Sequence, residues 1–157
     1  MCIRDRFGGH PMAAGLSMEE KNVELFRRRL NDNCTLTEQD LIPKIMIDVP
    51  MPISYLSKKL TEQLKVLEPF GKGNSKPLFA QKNLRAVGIR VFGRNRNVAK
   101  MLLIDENGIK MDAVYFGEAQ EFVDFVQAHD TISVTYYPEI NVFQGRENLQ
   151  VVIKNYC

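Results

Sequence analysis

The residue types best suited to holding an anion come first in the chain, in Phe7-Gly8-Gly9-His10-Pro11-Met12-Ala13-Ala14-Gly15. A glycine turn leading into a helix exposes backbone N–H groups at the positive end of the helix dipole, which suits a phosphate. His10 can donate a hydrogen bond to a phosphate oxygen, and Pro11 fits the first position of a helix. Ala13, Ala14 and Gly15 carry almost no side-chain bulk and permit close approach. A glycine pair is also a common plain turn, and the residues alone leave both readings open.

A second set of candidates is basic. Residues 70–100 hold eight lysines and arginines and no acid, whereas residues 101–139 hold eight acids and only Lys110. The net charge of +2 therefore hides two opposed blocks. Arg85 and Arg90 fall in an apparent strand, Arg94 and Arg96 flank the turn after it, and Lys100 opens the next strand. Cations that track a backbone, with aromatics for stacking, are what single-strand binding needs. A solvated strand-and-loop surface would show the same charges. Phe79 and Phe92 are the nearby aromatics, and both read as core. A third group, Tyr136, Tyr137, Asn141, Phe143, Arg146 and Gln150, clusters around a later loop, or simply forms that loop and its strand edge.

Hydrolytic chemistry has no visible carrier. There is no Asp-His-His triplet, no metal-ligand spacing, and no Ser or Cys in a nucleophile context. The residues point to a binding role, with no catalytic group and no metal ligand in the chain. Cys2, Cys34 and Cys157 fit neither a zinc pattern nor a disulfide framework, so a reducing cytoplasm is expected. No apolar run approaches the ~20 residues that span a bilayer.

The elements that must position these residues can be read from periodicity. Ser17-x-x-Glu20 resembles a capping box and opens a helix with Val23, Phe26 and Leu30 on one stripe. Residues 44–49 alternate as a short strand that Pro50 and Pro52 stop. Ile53, Leu56, Leu60, Leu64 and Leu67 predict one helix, which Pro69 closes. Strands follow over 84–92, 98–104 and 109–116, with an Asn-Gly hairpin signal at 107–108. A helix over 118–128 precedes strands at 131–137 and 149–153, with a loop or distorted hairpin across 138–146. Three strands, a helix and two strands is the order of the OB-fold, a five-stranded Greek-key barrel. Small mixed α+β sandwiches share that order. The fold class is α+β, a helical remnant followed by this barrel.

Three motifs carry a family resemblance. Gly8-Gly9-His10 with its followers is similar to the glycine-histidine signature of the DHH-associated domain of a phosphoesterase superfamily. Leu67-Glu-Pro-Phe-Gly-Lys-Gly-Asn74 with Pro77-Leu-Phe79 resembles the approach to the OB domain of RecJ-type exonucleases. Glu139-Ile-Asn141 with Gly145-Arg-Glu-Asn-Leu-Gln150 resembles the end of that domain. Two departures are Ser75, where proline is usual, and Phe143, where tryptophan is common. The resemblance implies a single-strand-specific 5′→3′ DNA exonuclease acting in repair and recombination. It implies single-stranded DNA as partner, phosphate contacts at Gly8, Gly9 and His10, and nucleic-acid contacts over the block of Arg85, Arg90, Arg94, Arg96 and Lys100; Asn141 and Arg146, from the third group of residues, are expected to join them. It further implies Mn2+ or Mg2+ held by residues outside this chain. A free-standing single-strand-binding module and a DHH phosphodiesterase acting on short oligonucleotides are the alternatives.

The expected organisation has four parts. Residues 1–6 match one reading frame of a sequencing adapter and look foreign, so the native protein is expected to continue upstream. Residues 7–34 are the tail of a DHH-associated domain, 35–69 a connector and 70–157 the OB domain.

Overall fold

The structure is a computed structural model that describes residues 7–10 and 13–157. The adapter-like hexapeptide and the helix start expected at Pro11 lie outside the described residues. The chain forms two compact units, Met1–Lys44 and Ile45–Cys157.

In the smaller unit, β1 (Phe7–His10) and β2 (Ala13–Leu16) form an antiparallel hairpin with Gly8 opposite Gly15 and His10 opposite Ala13. The helix expected from residue 11 is therefore corrected to a strand over 13–16. The second helix also starts later than expected. A 3-10 turn covers Glu20–Asn22 and α1 runs Val23–Asp32, with no side-chain cap from Ser17. A working capping box lies downstream, where Asp40 Oδ2 accepts from the Thr37 hydroxyl at 2.7 Å and the Thr37 N–H at 2.8 Å. Those bonds, the hydroxyl first, hold the Asp40 carboxyl below its ordinary pKa.

The larger unit is a closed barrel. Its strands are β4 (Phe79–Phe92), β5 (Val98–Ile104), β6 (Lys110–Phe116), β7 (Ile132–Phe143) and β8 (Arg146–Tyr156). They neighbour one another in the order β4-β5-β6-β8-β7, and β7 pairs back onto β4. Pairs are antiparallel except β6 with β8. This is the five-stranded OB topology, with α3 (Ala119–Gln127) between the third and fourth barrel strands.

The element β4 is long because it serves both halves of the barrel. Its first part pairs with β7 and its second with β5, and a bulge interrupts each ladder. In the second bulge Gly88 and Ile89 face only Met101, and Gly88 takes φ +64°. A bulge bends the strand, and glycine adopts that backbone without strain. The turn after β5 is closed by Asp105, whose Oδ1 accepts from Asn107 N–H at 2.9 Å and Ile109 N–H at 2.8 Å.

Inward residues fill the barrel: Leu84, Ala99, Leu103, Ala113, Val151 and Ile153 are buried. Ala119, Phe122, Val123 and Val126 form the buried stripe of α3 at i, i+3, i+4 and i+7, as expected. Phe122 stacks on Tyr115 at 4.7 Å and meets Tyr156 edge-on at 4.8 Å. Each such side chain contributes about 1.5–3 kcal/mol by leaving water.

The approach to the barrel differs from the sequence expectation in two places. Only β3 (Val49–Pro50) is strand, pairing parallel with Phe79–Ala80, and Pro50 lies within it. The single helix expected over 53–67 is broken into a turn at Ile53–Tyr55, α2 (Lys58–Leu64) and a turn at Lys65–Leu67. The break has a cause: Ser57 is extended and its Oγ accepts from Leu60 N–H at 3.1 Å, starting a new helix. Ile53 and Leu56 still reach the barrel core. Of the two expectations over 138–146, loop or distorted hairpin, the structure shows a hairpin: the continuous ends of β7 and β8, closed by a tight turn in which Gln144 and Gly145 both have positive φ.

Tyr136 fastens the approach to the barrel. It is fully buried, and its hydroxyl donates to the Met51 carbonyl. Burial pushes its phenol well above the ordinary pKa. Tyr136→Phe should lower stability at neutral pH by about 0.5–1.5 kcal/mol, the usual size of one hydrogen bond. The unfolded tyrosine ionises near pH ~10 while the folded one stays neutral, so the native chain loses stability above that pH. Urea unfolding at neutral and alkaline pH should show a shallower alkaline loss in the variant; equal losses would contradict this role.

Candidate nucleic-acid interface

Strand register decides which side chains share the outer face of the barrel. Paired residues point to the same side of a sheet, and alternate residues along a strand point to opposite sides. One outward row is Arg90, Lys100, Val114, Val152 and Tyr137, on β4, β5, β6, β8 and β7 in turn. Beside it runs Phe92, Val98 and Phe116. On its other side lie Val87, Leu102, Asp112, Gln150 and Glu139. Beyond that come Arg85, Ile104 and Lys110.

The first two rows combine cations with exposed rings. Arg90 and Lys100 face each other directly. Arg94 and Arg96 stand in the β4–β5 turn beside them, with Arg96 N–H donating to Gly93 O at 3.0 Å. Ion pairs among the described residues are Lys21–Glu19, Arg27–Glu24, Lys58–Glu147 and Lys65–Glu62. None uses Arg85, Arg90, Arg94, Arg96, Lys100 or Arg146. A groove of about 510 Å3 lies along this surface, lined by Val87, Arg90, Phe92, Lys100, Leu102 and Asp112.

Phe79 is core at 3% exposure, as expected, but Phe92 is 46% exposed. The bulge explains the correction. Strict alternation from the buried Leu84 would send Arg90 and Phe92 inward, and the one extra residue at Gly88–Ile89 turns both outward. Phe116, 59% exposed, was not among the sequence candidates. The alternation of β6 did carry its signal, because Phe116 shares the parity of Lys110 and Asp112, opposite that of Met111, Ala113 and Tyr115. Gly88 between Val87 and Ile89, inside a strand pattern, was the available sign of a bulge.

Asn141 and Arg146 sit apart from this group. Both are on the β7–β8 hairpin, with Asn141 opposite Asn148 and Arg146 opposite Phe143 at the tip. Val142 and Phe143 there are 64% and 65% exposed. The tip lies about 20 Å along the ribbon from Tyr137, at ~3.4 Å per residue. Arg85 is likewise separated from Arg90 by the row that contains Asp112. The β4–β5 turn and the β7–β8 hairpin stand at opposite ends of the strands, so they wall the face between them. Gly8, Gly9 and His10 lie in the other unit, paired in the β1–β2 hairpin.

The family model for the RecJ OB domain matches residues 47–155. The chain belongs to that family. The single-stranded-DNA-specific exonuclease RecJ of Bacillus subtilis (strain 168) is 32% identical over 155 residues, covering 98% of this chain and 20% of its own length. The RecJ of Escherichia coli (strain K12) is 30% identical over 156 residues, covering 96% of this chain and 26% of its own. Among solved structures, RecJ from Thermus thermophilus in complex with Mn2+ superposes with a TM-score of 0.67 at 20% identity. That likeness covers 97% of this chain and 22% of the other. The chain thus spans about a fifth to a quarter of the relatives it matches.

Among the described residues of this RecJ OB domain, no group of three or more His, Cys, Asp or Glu side chains is placed to hold a metal ion. No described helix is long and apolar enough to cross a membrane.

Like charges directly opposite each other on a sheet destabilise it. Lys100→Gln should therefore stabilise the ligand-free barrel by about 0.2–1 kcal/mol at low ionic strength. High salt should erase the gain, because exposed charges are screened. Thermal melts at two salt concentrations check this; a variant less stable at low salt would contradict the strain.

Proposed function

We propose that this chain is the single-strand-binding part of a RecJ-type 5′→3′ DNA exonuclease acting in DNA repair and recombination in the cytoplasm. Cleavage is the work of a domain outside this chain that carries Mn2+ or Mg2+. The observation that carries the reading is the outer face of the barrel, where unpaired Arg90 and Lys100 adjoin exposed Phe92 and Phe116. The cations hold the phosphates and the rings stack bases, which is the common scheme for single strands. Arg94 and Arg96 wall one end of the strands, while Asn141, Phe143 and Arg146 wall the other. Arg85 sits nearer that second wall. Asp112 and Glu139 repel phosphates, so the strand runs along the Arg90–Lys100 row.

Residues 7–34 are the tail of a DHH-associated domain in this reading. Residues 35–69 connect it to the OB domain at 70–157, and residues 1–6 are foreign. Gly8, Gly9 and His10 contact a substrate phosphate close to the bond that is cut. Gly8, Gly9 and His10 are paired with Gly15, Ala14 and Ala13 in the β1–β2 hairpin.

Binding of an oligothymidylate should weaken steeply with salt. Four contacts, from Arg90, Arg94, Arg96 and Lys100, contribute about −2.8 to the slope of log K against log salt, at about −0.7 each. Phe92→Ala and Phe116→Ala should each cost about 1–3 kcal/mol. Titration with single-stranded and duplex oligonucleotides tests this; salt-independent binding, or equal affinity for duplex, would sink the assignment. In a protein that joins this chain to its catalytic domain, His10→Ala should slow cleavage about 10- to 100-fold, the scale of one charged hydrogen bond. Unchanged turnover would remove His10 from the site.

A further inference from the structure

A second cationic cluster stands at the far end of the Arg90 row. Tyr137 on β7 is half-buried, and register aligns it with Val152, Val114, Lys100 and Arg90. The Lys76 Nζ lies 4.4 Å from the centre of its ring and 5.8 Å from that of Phe70. The Lys154 Nζ lies 5.2 Å from the same Tyr137 ring. Cations gather over an aromatic face because of the ring quadrupole. Two of them on one ring repel each other, and neither belongs to any ion pair among the described residues. Glu68 and Glu139 line the adjoining cavity of about 150 Å3. Glu139 is engaged elsewhere, accepting from Gln150 Nε2 at 3.4 Å.

The cluster offers two ammonium groups and a phenol O–H, and the carboxylates nearest to it, Glu68 and Glu139, form no ion pair with either lysine. Its position selects the ligand. Four strand spacings separate Tyr137 from Arg90, about 19 Å along the sheet at ~4.8 Å each. Val114 and Val152, both buried, make the neutral stretch between the two cationic ends. An isolated phosphate satisfies one end, whereas a continuous polyanion crosses the strands and meets both. Lys154 also follows Ile153, which pairs with Tyr115, so it stands beside Phe116 and continues the ring row.

We propose that Lys76, Lys154 and Tyr137 form a second phosphate subsite, which holds the backbone of the same single strand that Arg90 and Lys100 hold at the other edge. The proposal rests on the single-strand reading above. It adds a far anchor made by Tyr137 and Lys154 on the fourth and fifth barrel strands and by Lys76 just before the first, apart from the Arg85–Lys100 candidates, and so fixes the length of strand that the face engages.

The test is titration of the 157-residue chain with an oligothymidylate of about 16 nucleotides, the upper end of OB site sizes, at several salt concentrations. Lys76→Gln/Lys154→Gln should make the salt slope shallower by about 1.4, two contacts at about 0.7 each. Arg90→Gln/Lys100→Gln should do the same independently. If only the second variant changes the slope, the subsite is overturned while the reading of the face stands. If neither does, that reading fails as well. Inorganic phosphate alone is the remaining arm, followed at the lysine side-chain NMR signals. Shifts of Lys76 and Lys154 with the strand and not with millimolar phosphate support the proposal; shifts with phosphate and none with the strand overturn it.

Discussion

Everything on the binding face depends on one strand being shared. The strand β4 pairs with β7 along its first part and with β5 along its second, and this double pairing closes the barrel. A straight strand cannot serve both neighbours. The two bulges supply the bends, and Gly88 supplies the backbone conformation that one of them requires. The second bulge also resets which residues face out. Arg90 would otherwise point at the core, where an unpaired charge costs several kcal/mol. Closure of the barrel and presentation of the cations are thus one structural event.

The charge pattern follows from that closure. Along the chain a basic block precedes an acidic one, and register folds them into rows on a common surface. Arg90 meets Lys100, and the acids of the second block enter the same face as Asp112 and, across the sheet, Glu139. The face is therefore divided, with a cationic and aromatic lane on the side of the β4–β5 turn. Asp105, by contrast, turns inward to close a hairpin and takes no part in the face. A like-charge pair kept across two strands is unfavourable by itself and becomes favourable only when an anion lies between or over its members.

Much of this was legible in the residues. The strand at 98–104, the Asp105–Gly108 turn and the apolar stripe of α3 follow from short-range patterns, and they stand where those patterns put them. The failures share a different cause. The 53–67 segment has one helical stripe, yet Ser57 competes for the backbone N–H of Leu60 and divides it. The 138–146 segment, with its proline, asparagine and glycine, left a loop and a distorted hairpin both open, and pairing with its own return strand selects the hairpin. Ala13–Leu16 is a strand because β1 is there to pair with it. Phe92 was hidden because parity across a bulge is set by tertiary pairing, whereas Phe116 shares the parity of Lys110 and Asp112 and its outward face was legible. The hairpin position of Gly8, Gly9 and His10 is equally a matter of pairing, which a glycine motif does not encode.

The binding face is useful only if a single strand lies across it, along the row that starts at Arg90 and Lys100. Amide chemical-shift mapping during titration with an oligothymidylate reads that path residue by residue. Perturbations are expected at Arg90, Phe92, Lys100 and Phe116 and in the Gly93–Asn97 turn. Shifts confined instead to the apolar groove of about 640 Å3 lined by Ile45, Ile47, Val134 and Tyr156 would place the strand elsewhere and refute the assignment.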